Sequence, residues 1–264
     1  MTVFDLTGRK ALVTGGAQGL GEGMAHALAR AGAHVVVADV QEDLGAKVAE
    51  SLGGDHGFVR LDVTDDANWE SAVAEATGLL GGLDIVVNNA GVEITSLLVD
   101  LDPDQVRKQL EVNLLGTSLG IKHAFRAMRP GGVAGQGGTV INVASVAATI
   151  AFPGIAVYSA TKSGVDRLTR VAAMESGKLG YGVRVNCIYP GLVPTAMGMG
   201  LASDCAGLGL FGSPEEAVGA VIELTPSGRL GEVADMADAV VFLASDAARF
   251  VNGAGLPVDG GMGM

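Results

Sequence analysis

The chain is poor in cysteine, aromatic residues and basic side chains, and each scarcity closes off a class of function. Two cysteines among 264 residues, Cys187 and Cys205, with no CxxC spacing, make neither a disulfide framework nor a thiolate metal site, and they fit a reducing, cytoplasmic compartment. The four histidines, His26, His34, His56 and His123, lack metal-ligand spacing, so no metal is expected and they read as surface or packing residues. Lys and Arg total 17 against 29 Asp and Glu, a net charge of −12, and no basic run occurs, which argues against nucleic acid or an anionic membrane as partner. The opening MTVFDLTGRK has Asp5 ahead of any apolar run, so no secretory leader is expected. Residues 130–161 carry no charge and mimic a membrane span, but Asn142, Ser145, Pro153 and repeated glycines break the run, which reads instead as a buried strand and a loop.

Small apolar residues are what the chain does have. Hydrophobic residues make up 48% and aromatics only 4%, with 41 glycines, so a core must be built from Ala, Val and Leu with close backbone approach, as in tightly packed α/β layers. Apolar runs fit strands at 10–14, 34–39, 57–61, 84–88, 139–143 and 182–188. Helical segments fit between them at 20–31, 42–51, 68–80 and 155–174. A long helical stretch through Met128 opens at Asp102–Pro103, an N-cap followed by proline at the first helical position. Alternation of this kind predicts one domain: a doubly wound parallel sheet with helices on both faces. The glycine-rich segment 130–138 reads as a flexible surface excursion.

Three local patterns carry chemistry. Tyr158 and Lys162 stand four residues apart on one helix face, where a cation beside a phenol favours phenolate and equips the pair to exchange a proton with an alcohol. Ser145 ends an apolar strand, where its hydroxyl can hydrogen-bond the same substrate oxygen. Strand 10–14 runs into Gly15, Gly16, Gly19 and Gly21 ahead of a helix, the order that lets backbone amides and a helix N-terminus approach a pyrophosphate. Asp39 ends the next strand about twenty residues on, where an acidic side chain binds the ribose 2′-OH of NAD and repels a 2′-phosphate.

Together these residues resemble the short-chain dehydrogenase/reductase family from Leu6 to Gly261. TGGAQGLG matches the family's glycine turn, Asp62–Val63 its adenine-contacting pair, Asn88–Gly91 its NNAG strand end, and Pro190, Gly191, Val193 and Thr195 its nicotinamide-holding PGxVxT segment. Asn113, Ser145, Tyr158 and Lys162 match the catalytic tetrad. The resemblance implies a Rossmann-type fold and NAD as cofactor, held by Gly15, Gln18, Gly19, Leu20, Gly21, Asp39, Val40, Asp62, Val63, Asn89, Ala90, Gly91, Tyr158, Lys162, Pro190, Gly191, Val193 and Thr195. It implies Tyr158 as base with its pKa lowered by Lys162, Ser145 on the substrate oxygen, and Asn113 positioning a water as proton relay.

The resemblance further implies a lid over the substrate at about 194–226, for which a subunit interface is the competing reading, and a last strand, Gly255–Gly260, at the interface of a homotetramer. DVTDDANW and VFLASDAARFVNGAGLPVDGG look closest to bacterial dehydrogenases of hydroxysteroids and alicyclic alcohols. Tyr189 stands where relatives often carry a smaller residue or histidine, which leaves the pocket's shape open. From Val185 to Gly228 there is no Lys, Arg or His, and the other expected pocket residues, Val146, Phe152, Ile155, Met197 and Leu201, are uncharged. The expected small-molecule substrate is therefore a neutral, largely hydrocarbon secondary alcohol or its ketone, with an alicyclic ring in the lead. The alternatives are a 3-oxoacyl thioester reductase, against which Asp39 speaks because that class prefers NADPH, and a non-catalytic NAD-binding sensor, against which the full tetrad speaks.

Overall fold

Side chains alternate across a strand, so a strand that is apolar at every position needs cover on both faces. The computed structural model, which describes residues 3–264, supplies two covers. In β1 (Lys10–Thr14) and β2 (His34–Asp39), Val13, Val35 and Val37 pack on one side with Met24, Leu28, Val48, Met236 and Val240. Leu12, Val36 and Ala38 pack on the other with Trp69, Ala76, Ile121, Ala124 and Met128. The first layer is formed by α1 (Gly19–Arg30), α2 (Glu42–Leu52) and α9 (Val233–Ala244). The second is formed by α3 (Asp66–Leu80), α5 (Gly116–Met128) and α6 (Ala156–Leu179). Trp69 is fully buried, and truncating such a residue to alanine costs about 3–5 kcal/mol.

The other strands are β3 (Gly57–Arg60), β4 (Ile85–Asn88), β5 (Gly138–Val143), β6 (Val183–Pro190) and β7 (Gly255–Val258). The sheet order is β3-β2-β1-β4-β5-β6-β7, and every pairing is parallel. The chain winds outward from β1 in one direction and from β4 in the other. That reversal opens a crevice at the carboxyl ends of β1 and β4, the place where open α/β sheets bind ligands.

Helix and strand ends depart from the sequence reading for local reasons. α3 starts at Asp66 because the Asp65 carboxylate accepts from the amides of Ala67 and Asn68. α6 runs past Met174 to Leu179, stopping only where Gly180 turns left-handed at φ 69°. β6 extends to Pro190 because β7 continues to pair with it there. Asp102 does cap α4 (Pro103–Gln109), accepting from Asp104 N at 2.9 Å, but the stretch to Met128 is not a regular helix throughout. Residues Leu110–Leu115 form a π-helical turn, which re-aims the side chains along it. The glycine-rich excursion is pinned to α5, with Ala134 N and Gly135 N donating to Ala127 O and Gly137 N to Met128 O.

Beyond β6 two helices, α7 (Ala196–Gly207) and α8 (Pro214–Leu224), pack on one another beside the crevice. Among the described residues no helix is long and apolar enough to cross a membrane, and no cluster of three or more His, Cys, Asp or Glu residues is placed to hold a metal ion.

Candidate active site

At the β1–β4 switch point the chain stitches its own strand ends together. Thr14 Oγ1 accepts from the amides of Asn89 and Ala90, both at 3.1 Å, and Asn89 Nδ2 donates to the carbonyls of Thr14 and Gly15 at 3.0 Å. Gly15 and Gly19 both sit at φ 61°, the left-handed region that glycine enters freely. Gly21 meets a different demand: a Cβ there would lie 2.1 Å from Gly15 O and 2.5 Å from Asn89 Nδ2. Only a residue without a side chain lets α1 begin so close beneath the loop. α1 has no side-chain cap at Gln18, so its first amides remain open toward the crevice.

From this loop a cleft of about 750 Å³ runs across the carboxyl end of the sheet, within the range of small-molecule sites. At one end lies Asp39, nearly buried, its carboxylate oxygens accepting from Ala17 N at 3.1 Å and Gln41 N at 3.0 Å. Both contacts fix the carboxylate against the glycine loop while leaving it acceptor capacity toward the cleft. Asp62 and Val63 follow. The Asp62 carboxylate accepts from the amide and hydroxyl of Thr64, which holds its pKa below the usual range, and Trp69 Nε1 donates to Val63 O at 3.0 Å.

At the other end Tyr158 stands in the first turn of α6 and faces the cleft with Lys162 one turn on. Lys162 Nζ is buried, donates to Val143 O at 2.8 Å, and lies 5.5 Å from the centre of the Tyr158 ring. Ser145 caps a single 3₁₀ turn, Val146–Ala148, accepting from Ala147 N at 3.1 Å. Burial drives the two titrating groups toward neutrality: the Tyr158 phenol is pushed up to about 12 and the Lys162 ammonium down to about 8. The adjacent Ser145 hydroxyl draws Tyr158 down by less, and the Glu93 carboxylate raises it further. The expectation that Lys162 lowers the tyrosine's pKa is therefore corrected for the protein alone. The ammonium is spent on a backbone carbonyl, and desolvation outweighs its attraction.

Asn113 and Gly21 line no part of the cleft, unlike every other expected site residue. Asn113 sits fully buried in the π-helical turn and acts on the loop after β4: its Oδ1 accepts from Val92 N and its Nδ2 donates to Val92 O, each at 2.8 Å. The same Nδ2 donates to Thr161 Oγ1 at 3.1 Å, which ties the loop to α6. A Cβ added at Gly91 would lie 3.3 Å from Asn113 Oδ1 and 3.4 Å from Lys162 Nζ, so the three residues converge.

One turn earlier Gln109, which sequence reasoning passed over, does for Ile94 what Asn113 does for Val92. Its Oε1 accepts from Ile94 N and its Nε2 donates to Ile94 O, both at 3.3 Å. Ser96 is fixed in turn by Gly154 O at 2.8 Å.

Between the two ends much of the wall is apolar. Val146, Phe152, Ile155, Met197 and Leu201 all line it as expected, with Phe152 stacked on Phe211 at 6.2 Å between ring centres. Tyr189 is not part of it. Its hydroxyl donates to Asp166 Oδ1 at 2.6 Å behind β6, where Gly255 leaves it room. Lining residues without a sequence signal include Lys108 and Glu111 on the α4–π segment, Met262, delivered by a C-terminal turn whose amides at Gly261 and Gly263 donate to Asp259, and Glu93. Glu93 breaks the expectation of an uncharged pocket. Its carboxyl, desolvated and close to Asp204, is raised to about 7 despite accepting from the Thr95 hydroxyl.

A family model described as enoyl-(acyl carrier protein) reductase matches residues 15–263. The chain is 38% identical over 260 residues to trans-4-hydroxycyclohexanecarboxylate dehydrogenase of Sinomonas cyclohexanicum, covering 95% of this chain and 91% of that relative. It is 35% identical over 258 residues to 2,5-dichloro-2,5-cyclohexadiene-1,4-diol dehydrogenase of Sphingobium indicum, covering 97% and 98%. Among solved structures it superposes on a short-chain type dehydrogenase/reductase from Mycobacterium marinum with a TM-score of 0.87 at 32% identity, covering 98% and 97%. A gluconate 5-dehydrogenase from Burkholderia cenocepacia in complex with NADP and tartrate gives a TM-score of 0.87 at 35% identity, covering 98% and 96%. A 3-ketoacyl-(acyl-carrier-protein) reductase from Brucella melitensis complexed with NADH gives 0.86 at 32%, covering 98% and 100%. With near-complete coverage by family model, relatives and structures alike, this chain belongs to the short-chain dehydrogenase/reductase family of nicotinamide-dependent oxidoreductases.

Proposed function

We propose that this protein is an NAD-dependent dehydrogenase that interconverts an apolar, cyclic secondary alcohol and its ketone. The observation that carries the reading is one cleft with Asp39 at its nucleotide end, Tyr158, Ser145 and Lys162 at its far end, and an apolar wall beside them. The cradle fits the cofactor. Gly15, Gly19 and the uncapped start of α1 would hold the pyrophosphate, with Gln18 and Leu20 beside them, while Asp39 and Val40 would take the adenosine ribose. Asp62, Val63, Ala90 and Gly91 would flank the adenosine, and Pro190, Gly191, Val193 and Thr195 the nicotinamide end. When bound, NAD supplies the hydride acceptor and one positive charge.

The chain's own residues then move one proton. Ser145 holds the substrate oxygen and Tyr158 exchanges the proton with it. A phenol at about 12 keeps its proton at neutral pH, which suits the acid of ketone reduction. Oxidation of the alcohol needs that value lowered, so it depends on positive charge gathering around Tyr158 from Lys162 and the loaded cofactor. Asn113, which grips Val92 and Thr161, fixes the geometry of this corner, with a relay water beside Lys162 as the accompanying hypothesis. Helices α7 and α8 act as the substrate lid over 194–226.

The names of the two ring-alcohol relatives support a cyclic substrate. The protein works in the cytoplasm as a homotetramer, and the exposed apolar side chains of Leu110, Leu115, Val171 and Met174 support such an assembly. The test is a kcat/KM series from 2-propanol through cyclohexanol to a hydroxysteroid, with NAD and with NADP. It is set against 3-hydroxybutyrate and a 3-hydroxyacyl thioester. A rise along the alcohols with NAD is expected; a clear win for the thioester would transfer the reading to a 3-oxoacyl thioester reductase.

A further inference from the structure

Glu93 is an acidic side chain lining the cleft, and the fold clamps the backbone on both sides of it. The residues on either side, Val92 and Ile94, have both backbone polar groups clamped, the first by Asn113 and the second by Gln109. Those two amide side chains lie four residues apart on the α4–π segment and act as a short strand would, pairing alternate residues of an extended loop. Ser96 is held next by Gly154 O. Alternation sends the side chains of Glu93 and Thr95 to the same face, and the Thr95 hydroxyl donates to both Glu93 oxygens, at 3.0 and 3.1 Å. Among the described residues Glu93 has no cationic partner within ion-pair distance. It is close enough to Tyr158 and Cys205 for its charge to be felt at both.

A carboxyl close to Cys205, in a cleft that Phe152, Ile155 and Leu201 also line, is costly to desolvate unless it is satisfied. Thr95 occupies part of its acceptor capacity; an ionised carboxylate has room for further donors. A cation is one candidate partner, but Phe152, Ile155, Leu201 and Phe211, which line the same cleft, are hydrocarbon surfaces that offer it no further ligand. An anion is disfavoured, because Asp204 adds a second negative charge. A neutral hydroxyl fits both the acceptor and its surroundings. Resting on the dehydrogenase reading above, we propose that Glu93 is a specificity-determining residue that accepts a hydrogen bond from a second hydroxyl of the substrate, so that the preferred substrate is a ring diol rather than a plain ring alcohol. Tyr158 and Ser145 engage the reacting hydroxyl, and Glu93 engages the one that does not react.

The experiment compares trans-cyclohexane-1,4-diol, cis-cyclohexane-1,2-diol, 4-methylcyclohexanol and trans-4-hydroxycyclohexanecarboxylate as substrates for the wild type, Glu93→Gln and Glu93→Leu, with NADH binding measured by fluorescence to verify a folded, loaded enzyme. The methyl compound matches the 1,4-diol in size and lacks the second donor. The wild type is expected to favour at least one diol over it in kcat/KM by about 10-fold or more, as a site that hydrogen-bonds a substrate hydroxyl rejects the analogue lacking it. In Glu93→Leu that ratio should fall to about one or invert, and in Glu93→Gln, which keeps a carbonyl acceptor, it should be intermediate. Turnover of the methyl compound with no diol preference in the wild type, a diol preference retained in Glu93→Leu, or a carboxylate substrate outrunning both diols would overturn the role given to Glu93 and leave the dehydrogenase reading standing. Failure of all four alcohols with NADH bound would overturn the dehydrogenase reading and this inference with it.

Discussion

Replacing Glu93 by glutamine should make the fold's stability less sensitive to pH, and the sign is fixed by the direction in which the carboxyl is displaced. Its pKa stands at about 7 in the folded chain against an ordinary 4.5. Between those values the native state keeps a proton that the unfolded state releases, so this group's contribution to stability is full below pH 4.5 and is lost as pH rises through 7. A gap of about 2.5 corresponds to about 3.4 kcal/mol at full value. The carboxyl is only partly buried and opens on a wide cleft, so solvent screening reduces this to about 1–2 kcal/mol. Glutamine keeps the shape and the hydrogen bond from Thr95 without a charge. Urea unfolding of both proteins, followed by circular dichroism at pH 5 and pH 8 and at one protomer concentration, should show the variant gaining about 1–2 kcal/mol over the wild type between the two pH values. Other carboxylates, such as Asp66, cancel in the difference. A stability gap that is equal at the two pH values, or that favours the wild type at pH 8, would refute the claim that Glu93 is desolvated in the cleft.

Other substitutions probe the remaining parts of the site. Asp39→Ser should raise the NADP-to-NAD ratio of kcat/KM by at least ~10-fold, since it removes a fixed negative charge from the place a 2′-phosphate would occupy. A wild type that already prefers NADP would refute that role. Gly21→Ala forces a methyl within 2.1 Å of Gly15 O and should cost about 1–3 kcal/mol by overpacking, with weaker NADH binding seen by fluorescence titration; an unchanged titration would separate Gly21 from the loop it supports. Gln109→Leu leaves both polar groups of Ile94 without their partner and should cost about 1–3 kcal/mol while lowering kcat/KM, with NADH affinity retained because neither Gln109 nor Ile94 lines the cleft.

Most of the fold was legible because a parallel sheet buried on both faces writes itself as short, unbroken apolar runs such as ALVT and HVVVA, each followed by a helical period. The glycine loop was legible for a related reason: Gly15, Gly19 and Asp39 lie at strand ends, where local sequence determines the backbone. At Gly21 the missing side chain makes room for Gly15 O, and sequence cannot say whether such room is for a ligand or for the chain's own carbonyl. The π-helical turn at Leu110–Leu115 had no signature, and with it the double clamp by Gln109 and Asn113 went unseen. Met262 was missed because a turn at the far end of the chain brings it to the cleft, and Glu93, two residues past the expected Gly91, because spacing does not say which way a loop side chain points. The direction of the Lys162 ammonium, toward Val143 O rather than the phenol oxygen, depends on burial that spacing alone does not encode.

The central claim, that Tyr158 moves a proton for NAD-linked oxidation of a ring alcohol, is met most directly by steady-state NADH formation from cyclohexanol in the wild type and in Tyr158→Phe, with NADH binding measured in both. Turnover is expected in the wild type, with an apparent pKa on the rising limb well below the value of about 12 that the phenol has in the protein alone. In the variant a loss of at least ~100-fold is expected with cofactor affinity retained, the scale of a missing general acid–base. A variant that keeps most of its activity, or a wild type that binds NADH and oxidises no secondary alcohol, would contradict that claim.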